Sequence, residues 1–335
     1  MWRLIVCLIV TVSATAGWGN CTGPSTFDAL PAADQMALKQ SAEEVPHASG
    51  LLWQVEKNGV TSVLVGTLHF PDPRLNAIRT RVAPLMRETK NLFLEMTLAD
   101  EGKFQKRLTS DSSLFLINEG PSLIDRLGEE NWEQVTTALE PLGLPGFSVS
   151  RYQPWFLGLN LSTPLCVLQA AQSGRLGLDR RLEQEAVALG LPTRSLDTVD
   201  GIISALASDP LDVQVTQLED AIEAGLLGQD PDPQTIIDLY FKEQTQLIWT
   251  YESFKARNTA TQSGMDADKV IAHLQKVEQD LVTSRNHSWM TVLTEELARA
   301  PSTVAVGALH LPGENGLLSL LMAEGFTVSR LELTP

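Results

Sequence analysis

The chain carries one nine-residue pattern twice, once near each end, and that repeat restricts which folds can use it. Residues 63–71 read V-L-V-G-T-L-H-F-P, and residues 304–312 read V-A-V-G-A-L-H-L-P. Each copy begins with a short apolar, largely β-branched run (62–65 and 303–306) that has the character of a buried strand. A glycine follows, Gly66 or Gly307, where the backbone can turn sharply or approach another group closely. His69 and His310 come three residues later, each followed by Pro after one intervening residue. Two strands that end alike belong in one sheet, where they deliver two imidazoles to a shared edge.

Composition makes the repeat more telling. With 23 Gly and 5 His in 335 residues, chance supplies about 0.3 G-x-x-H matches. Two matches with matching strand-like flanks and a closing Pro exceed that. A lone strand-end His usually bonds a backbone carbonyl; a pair in equivalent settings points to a shared site.

The N-terminus reads as an export signal: Arg3 supplies the positive charge, residues 4–12 are apolar apart from Thr11, and Ala14-Thr15-Ala16 suits cleavage. The apolar stretch is short for a membrane span. The expected organisation is a signal over residues 1–16, an arm over 17–49 and one domain over 50–335. A soluble periplasmic or secreted protein without a stable transmembrane anchor is expected. The formal charge of −16 and the absence of any basic run argue against nucleic-acid binding. Removal of the signal leaves Cys21 and Cys166 as the only cysteines, and an oxidising compartment permits a bridge between them. No C-x-x-C or C-x-x-H spacing supports a thiolate zinc site.

Local patterns predict a strand over 51–56, an Asn-Gly turn at 57–59, a strand over 61–66, a helix over 75–89 and a strand over 91–96. Residues 100–299 read as largely helical, with helices over 129–142, 154–173, 178–189, 211–227 and 233–257, one or two more over 266–299, and a short strand at 192–196. The chain closes as strand 302–306, helix 315–324 and strand 326–333. The fold class predicted is α/β (α+β): a single mixed sheet built from N- and C-terminal strands, with a large central helical insertion.

Several polar residues could complete a two-histidine site. Glu95 follows the apolar run Leu92-Phe93-Leu94 near a strand end. With His69 and His310 it makes a His₂Glu set suited to a catalytic divalent metal with open positions. Asp179 opens a helix, where a carboxylate stabilises the N-terminus or orients a His or substrate amine. Arg285-Asn286 reads as a helix end with a capping Asn. In the functional reading, Arg285 stabilises charge on a carbonyl or carboxylate. No G-x-S-x-G, H-E-x-x-H, Walker or G-x-G-x-x-G pattern is present.

Taken together, Leu52-Trp53, Gly66-Thr67-Leu68-His69, Leu94-Glu95, Gly177-Leu178-Asp179, Arg285-Asn286, Gly307-Ala308-Leu309-His310 and Gly313-Glu314-Asn315-Gly316-Leu317 resemble the TraB/PrgY/GumN family over residues 50–333. The resemblance implies kinship with Tiki-type metalloproteases, which use divalent metals such as Mn²⁺ or Co²⁺, and more distantly with erythromycin-esterase-like hydrolases. Carried over residue by residue, His69, Glu95 and His310 match the functional constellation, with Glu95 a ligand or the general base. Asp179, Arg285 and Asn286 match further family motifs. Relatives often carry Glu where this chain has Asp197, and no role is carried onto Asp197.

The expected function is an exported metal-dependent hydrolase, most plainly a peptidase, acting on a peptide or small-molecule substrate. Two alternatives stand beside it. One is a metal-independent ester or amide hydrolase using His and Glu. The other is a non-enzymatic haem-, metal- or peptide-binding protein.

Overall fold

The computed structural model describes residues 21, 23–223, 225, 227 and 232–333. The export signal expected over 1–16 lies outside the described residues. Six strands form one mixed sheet: β1 (Leu52–Lys57), β2 (Val60–Thr67), β3 (Asn91–Leu94), β4 (Thr193–Ser195), β5 (Ser302–Gly307) and β6 (Thr327–Arg330), in the order β4-β3-β5-β2-β1-β6. β1 and β2 form an antiparallel hairpin whose turn residues Asn58 and Gly59 have φ of 54° and 76°, the left-handed conformation an Asn-Gly turn favours. β2, β5, β3 and β4 run parallel to one another, so their C-terminal ends lie along one edge.

The repeat is explained by β2 and β5 being direct neighbours, with Val63 opposite Thr303 and Thr67 opposite Gly307. Both strands are buried over most of their length, Ser62, Ser302 and Thr303 included, because both sheet faces are covered. On one face Val63, Val65, Leu92, Leu94 and Ala305 pack against the helices Leu75–Met86 and Leu178–Leu189. Phe27, Leu38 and Ala42 of the N-terminal arm, with its helix Ala32–Glu43, join the same core. On the other face Leu64, Phe93, Val304 and Val306 pack against Trp289, Leu293 and Leu297 of the helix Ser284–Arg299.

The central insertion is helical as expected, with several boundaries displaced, the helix expected over 211–227 ending at Glu223 among them. The pattern over 129–142 belongs to a helix that begins earlier, at Leu123, behind a Ser122–Asp125 capping box; Gly128, with φ of 77°, kinks it. The span 154–173 is two helices, Pro154–Leu161 and Leu165–Gln172, because Pro164 cannot continue the first. The span 233–257 also divides, into Pro233–Phe241 and Thr245–Gln262. Between them Glu243 adopts φ of 57° and its carboxylate accepts from the Leu51 N–H at 3.1 Å. One strand, β4, comes from within the insertion and pairs with β3. Cys21 and Cys166 are joined by a disulfide, tying the arm to the helix Leu165–Gln172.

Candidate functional site

Four parallel strands each deliver one polar residue just beyond their C-terminal ends. Across the sheet these are Asp197 after β4, Glu95 after β3, His310 after β5 and His69 after β2. The carboxyl ends of parallel strands are the usual place for ligands in α/β sheets, because loops diverge there and backbone donors are exposed. The sequence-predicted trio of His69, Glu95 and His310 is brought together: Nε2 of each imidazole lies 3.7 Å from Glu95 Oε1. The two ring nitrogens therefore stand no further apart than twice that distance.

The two motif glycines act on each other's copy. A Cβ on Gly66 would meet Leu311 Cδ1 at 2.9 Å and Ala308 Cα at 3.2 Å, so the turn carrying His310 packs directly on the first motif. A Cβ on Gly307 would lie 3.0 Å from Glu95 Oε1, 3.5 Å from His310 Cδ2 and 3.6 Å from His69 Nε2. Its absence leaves a cradle walled by the three predicted donors. The Gly307 N–H also donates to Glu95 Oε1 at 2.6 Å. The buried Tyr240 hydroxyl donates to the Gly66 carbonyl at 2.9 Å, fixing the β2 end from beneath.

Each imidazole is oriented through its other nitrogen. Asp179 Oδ1 lies 3.0 Å from His69 Nδ1. The helix Leu178–Leu189 reaches that close because a Cβ on Gly177 would fall only 2.4 Å from the His69 carbonyl oxygen. Asn286 Oδ1 lies 2.7 Å from His310 Nδ1, while its Nδ2 donates to the carbonyls of His310 at 3.2 Å and Asn315 at 2.8 Å. Those two bonds settle the amide orientation, so Oδ1 accepts and His310 Nδ1 carries the proton. Nε2 of His310 is then a lone pair facing Glu95. Asp179 enforces the same tautomer on a neutral His69. A carboxylate or carbonyl behind each imidazole is the arrangement that sets ligand tautomer and basicity in metal sites.

Arg285 departs from the sequence reading. A π-helical turn, Gln279–Thr283, carries the chain into the helix Ser284–Arg299, so Arg285 and Asn286 lie in its first turn, not at the C-terminal end of a helix. Asn286 is fully buried and works through its side chain instead of capping. Arg285 Nη2 donates to Glu95 Oε2 at 2.6 Å and to Asp197 Oδ2 at 2.6 Å; Nη1 donates to the Leu281 carbonyl at 2.8 Å and stands 3.4 Å from His310 Nε2. Asp197, to which no role was carried, accepts from both Arg285 and Trp289 Nε1–H, the latter at 2.7 Å. Trp289 lies against the His310 ring, centroids 4.5 Å apart, and carries the Arg285 guanidinium over its face at 4.8 Å. Asp197 follows a predicted strand and Glu95 lies near the end of another; that strand-end position was the available signal.

The electrostatics divide the two histidines. Burial acts to lower the pKa of His69, but the Asp179 charge and hydrogen bond, with Glu95, outweigh it and hold the value at about 9. Its side chain is 47% exposed, so water screens part of this effect. Burial, opposed by Glu95 and reinforced by Arg285, pushes His310 down to about 3. Burial disfavours charge on Glu95, yet Arg285 and the imidazoles hold its carboxyl well below the usual range. Asp179 is lowered, with His69 overcoming burial, whereas burial raises Asp197 against the pull of Arg285.

Among the described residues, no group of three or more His, Cys, Asp or Glu side chains stands at a spacing that could hold a metal ion. Imidazole nitrogen and carboxylate oxygen are nonetheless donor types that a divalent cation takes. Two oriented imidazole nitrogens and one carboxylate oxygen surround the Gly307 cradle. Glu95 and Asp197 share Arg285, while Asp179 stands between His69 Nδ1 at 3.0 Å and Arg180 Nε at 3.7 Å. At the end of β2, the Thr67 hydroxyl is buried without a partner among the described residues. No curated protein and no solved structure matches this chain significantly. The family model for the TraB/PrgY/gumN family matches residues 51–330, which span the sheet and every residue of the site, and the chain belongs to that family.

Proposed function

We propose that the protein is an exported hydrolase that cleaves amide bonds, most directly in peptides, at the Glu95 cluster. The observation that carries this reading is the convergence of two tautomer-fixed Nε2 atoms on Glu95 Oε1 around the Gly307 cradle. His69, His310 and Glu95 would hold a divalent metal such as Mn²⁺ or Co²⁺, which would polarise a scissile carbonyl and lower the pKa of bound water. The chain's own groups then have separate tasks. Asp179 and Asn286 hold the imidazoles. Arg285, fixed by Asp197 and Trp289, presents a permanent positive charge where negative charge develops on a carbonyl oxygen. In hydrolysis, water oxygen bonds the carbonyl carbon, the C–N bond breaks, and a water proton passes through a base to the leaving amine. The disulfide supports an oxidising compartment, periplasmic or extracellular.

Arg285 also favours a second reading. A guanidinium 2.6 Å from Glu95 Oε2 and 3.4 Å from His310 Nε2 supplies fixed charge beside a neutral imidazole base. That arrangement suits a metal-independent ester or amide hydrolase.

The test is metal analysis of untagged protein followed by peptide-library cleavage with Mn²⁺. His69→Ala and His310→Ala should lose both metal and turnover. Glu95→Gln that retains metal but loses turnover marks a base, and lost metal marks a ligand. Cleavage that survives exhaustive chelation yet needs both histidines sinks the metal reading in favour of the imidazole base. Stoichiometric peptide binding without cleavage refutes the hydrolase altogether.

A further inference from the structure

The chain is strongly acidic, with a formal charge of −16, and one cleft runs against that balance. It lies between the helices Leu75–Met86 and Leu178–Leu189, is bordered by residues 174–176, and has a volume of about 440 Å³. Its walls carry Arg79, Arg175 and Arg181 against one carboxylate, Glu185. Arg181, Gln184 and Glu185 recur at helical spacing along one wall, with Asn76 and Arg79 along the other, so the cleft is built on regular elements.

The guanidinium groups are not used alike. Arg79 Nη1 donates to Glu185 Oε2 at 2.6 Å, which consumes the cleft's carboxylate. Arg181 donates from Nε to the Leu176 carbonyl at 3.0 Å, from Nη1 to Asn76 Oδ1 at 2.7 Å and from Nη2 to the Asp72 carbonyl at 3.2 Å. All three acceptors are neutral. They hold the planar fork in place without cancelling its charge, and a guanidinium with five N–H groups keeps two for a ligand. Burial, and after it the nearby Arg79 charge, lower the pKa of Arg181 against the opposing pull of Asp72.

We propose that this cleft binds a compact oxyanion (a phosphate, sulfate or carboxylate group), with Arg181 and Arg79 as its ligands. A preorganised, partly desolvated pair of guanidinium groups is what bidentate oxyanion recognition requires. In a chain this acidic, such a group is repelled by most of the remaining surface. The cleft is distinct from the Glu95 cluster but adjoins its scaffold. Leu176 precedes Gly177, which packs on the His69 backbone, and Asp179 of the same helix bonds His69. The anion is either free in solution or an acidic group carried by a substrate.

The experiment is calorimetric titration of the mature chain with inorganic phosphate at constant ionic strength, which requires no turnover and so stands apart from the hydrolase reading. Saturable single-site binding is expected. Arg181→Gln should weaken it at least tenfold. Arg79→Gln, which leaves all three Arg181 tethers intact, guards against misfolding and should weaken it as well. Glu185→Gln should tighten it severalfold by releasing Arg79. Arg299→Gln, on a helix outside the cleft, should change nothing. Heats that do not saturate, or equal affinity in wild type, Arg181→Gln and Arg79→Gln, overturn the proposal. An acidic peptide whose binding phosphate displaces identifies the substrate-borne source, and phosphate binding without such competition identifies the free anion.

Discussion

Asp197→Asn is the sharpest probe of how the site is held. The side chain is only 7% exposed. Its two oxygens receive Arg285 Nε at 3.3 and 3.2 Å, Arg285 Nη2 at 2.6 Å and Trp289 Nε1–H at 2.7 Å. The substitution is isosteric and keeps one oxygen for Trp289, but it turns an NH₂ group toward the guanidinium. Removing one partner of a buried ion pair costs about 3–5 kcal/mol. Arg285 retains Glu95 Oε2 at 2.6 Å and the Leu281 carbonyl at 2.8 Å, so it is not stranded, and the burial that already disfavours charge on Asp197 offsets part of the loss, which is therefore at most about 3 kcal/mol. For a chain of this size that lowers the urea midpoint by at most roughly 1 M with unchanged slope. The assay is equilibrium urea unfolding followed by tryptophan fluorescence. A midpoint within about 0.2 M of wild type at the same slope would refute the claim that Asp197 anchors Arg285.

Three further outcomes are expected. Gly177→Ala places a Cβ 2.4–2.8 Å from His69 backbone atoms that cannot move cheaply, so Asp179 should separate from His69. NMR titration should then show the His69 pKa falling from about 9 toward 6.5, and an unchanged value would contradict the close approach. In metal-free protein, His310 has a folded pKa of about 3 against an ordinary 6.5, so the unfolded state binds more protons between those values. Stability should therefore fall as pH drops below about 6.5, by about 2 kcal/mol at pH 5. His69 works in the opposite sense, because its raised pKa contributes fully below 6.5 and that contribution is lost as pH rises through about 9. Urea midpoints from pH 4 to 10 should peak near neutrality, and a flat profile would refute both assignments. Replacing Cys21 and Cys166 by Ser opens a cross-link spanning 145 residues, worth up to about 5 kcal/mol by loop-entropy arguments, measurable as a lower melting temperature.

Much of the scaffold was legible in local chemistry. The apolar runs of β2 and β5 read as buried strands because both faces of a covered sheet demand apolar side chains. The Asn-Gly hairpin, the helix Leu178–Leu189 ending at left-handed Gly190, and the strand-end positions of His69, Glu95 and His310 followed from backbone preferences within a few residues. Helix breaks were less legible. The apolar pattern runs through Pro164 and Glu243, while the break at Glu243 accompanies its contact with Leu51, far away in sequence.

Residue order alone supplied an inventory: two matching strand ends with a His on each, a Glu on a third, and one α/β sheet to hold them. Adjacency and partnership came from packing. It put β4 beside β3, and so Asp197 beside Glu95. It continued a π-turn into the helix that carries Arg285, so that one guanidinium bridges both carboxylates. It set Gly307 against His69 and Gly66 against the His310 turn, giving each glycine a purpose only the other copy explains. The physical reason is range. Dihedral preference and hydrophobic period act over a few residues and can be read along the chain, whereas ion pairs, tautomers and close backbone approaches depend on distances between segments a hundred or more positions apart, which only packing sets.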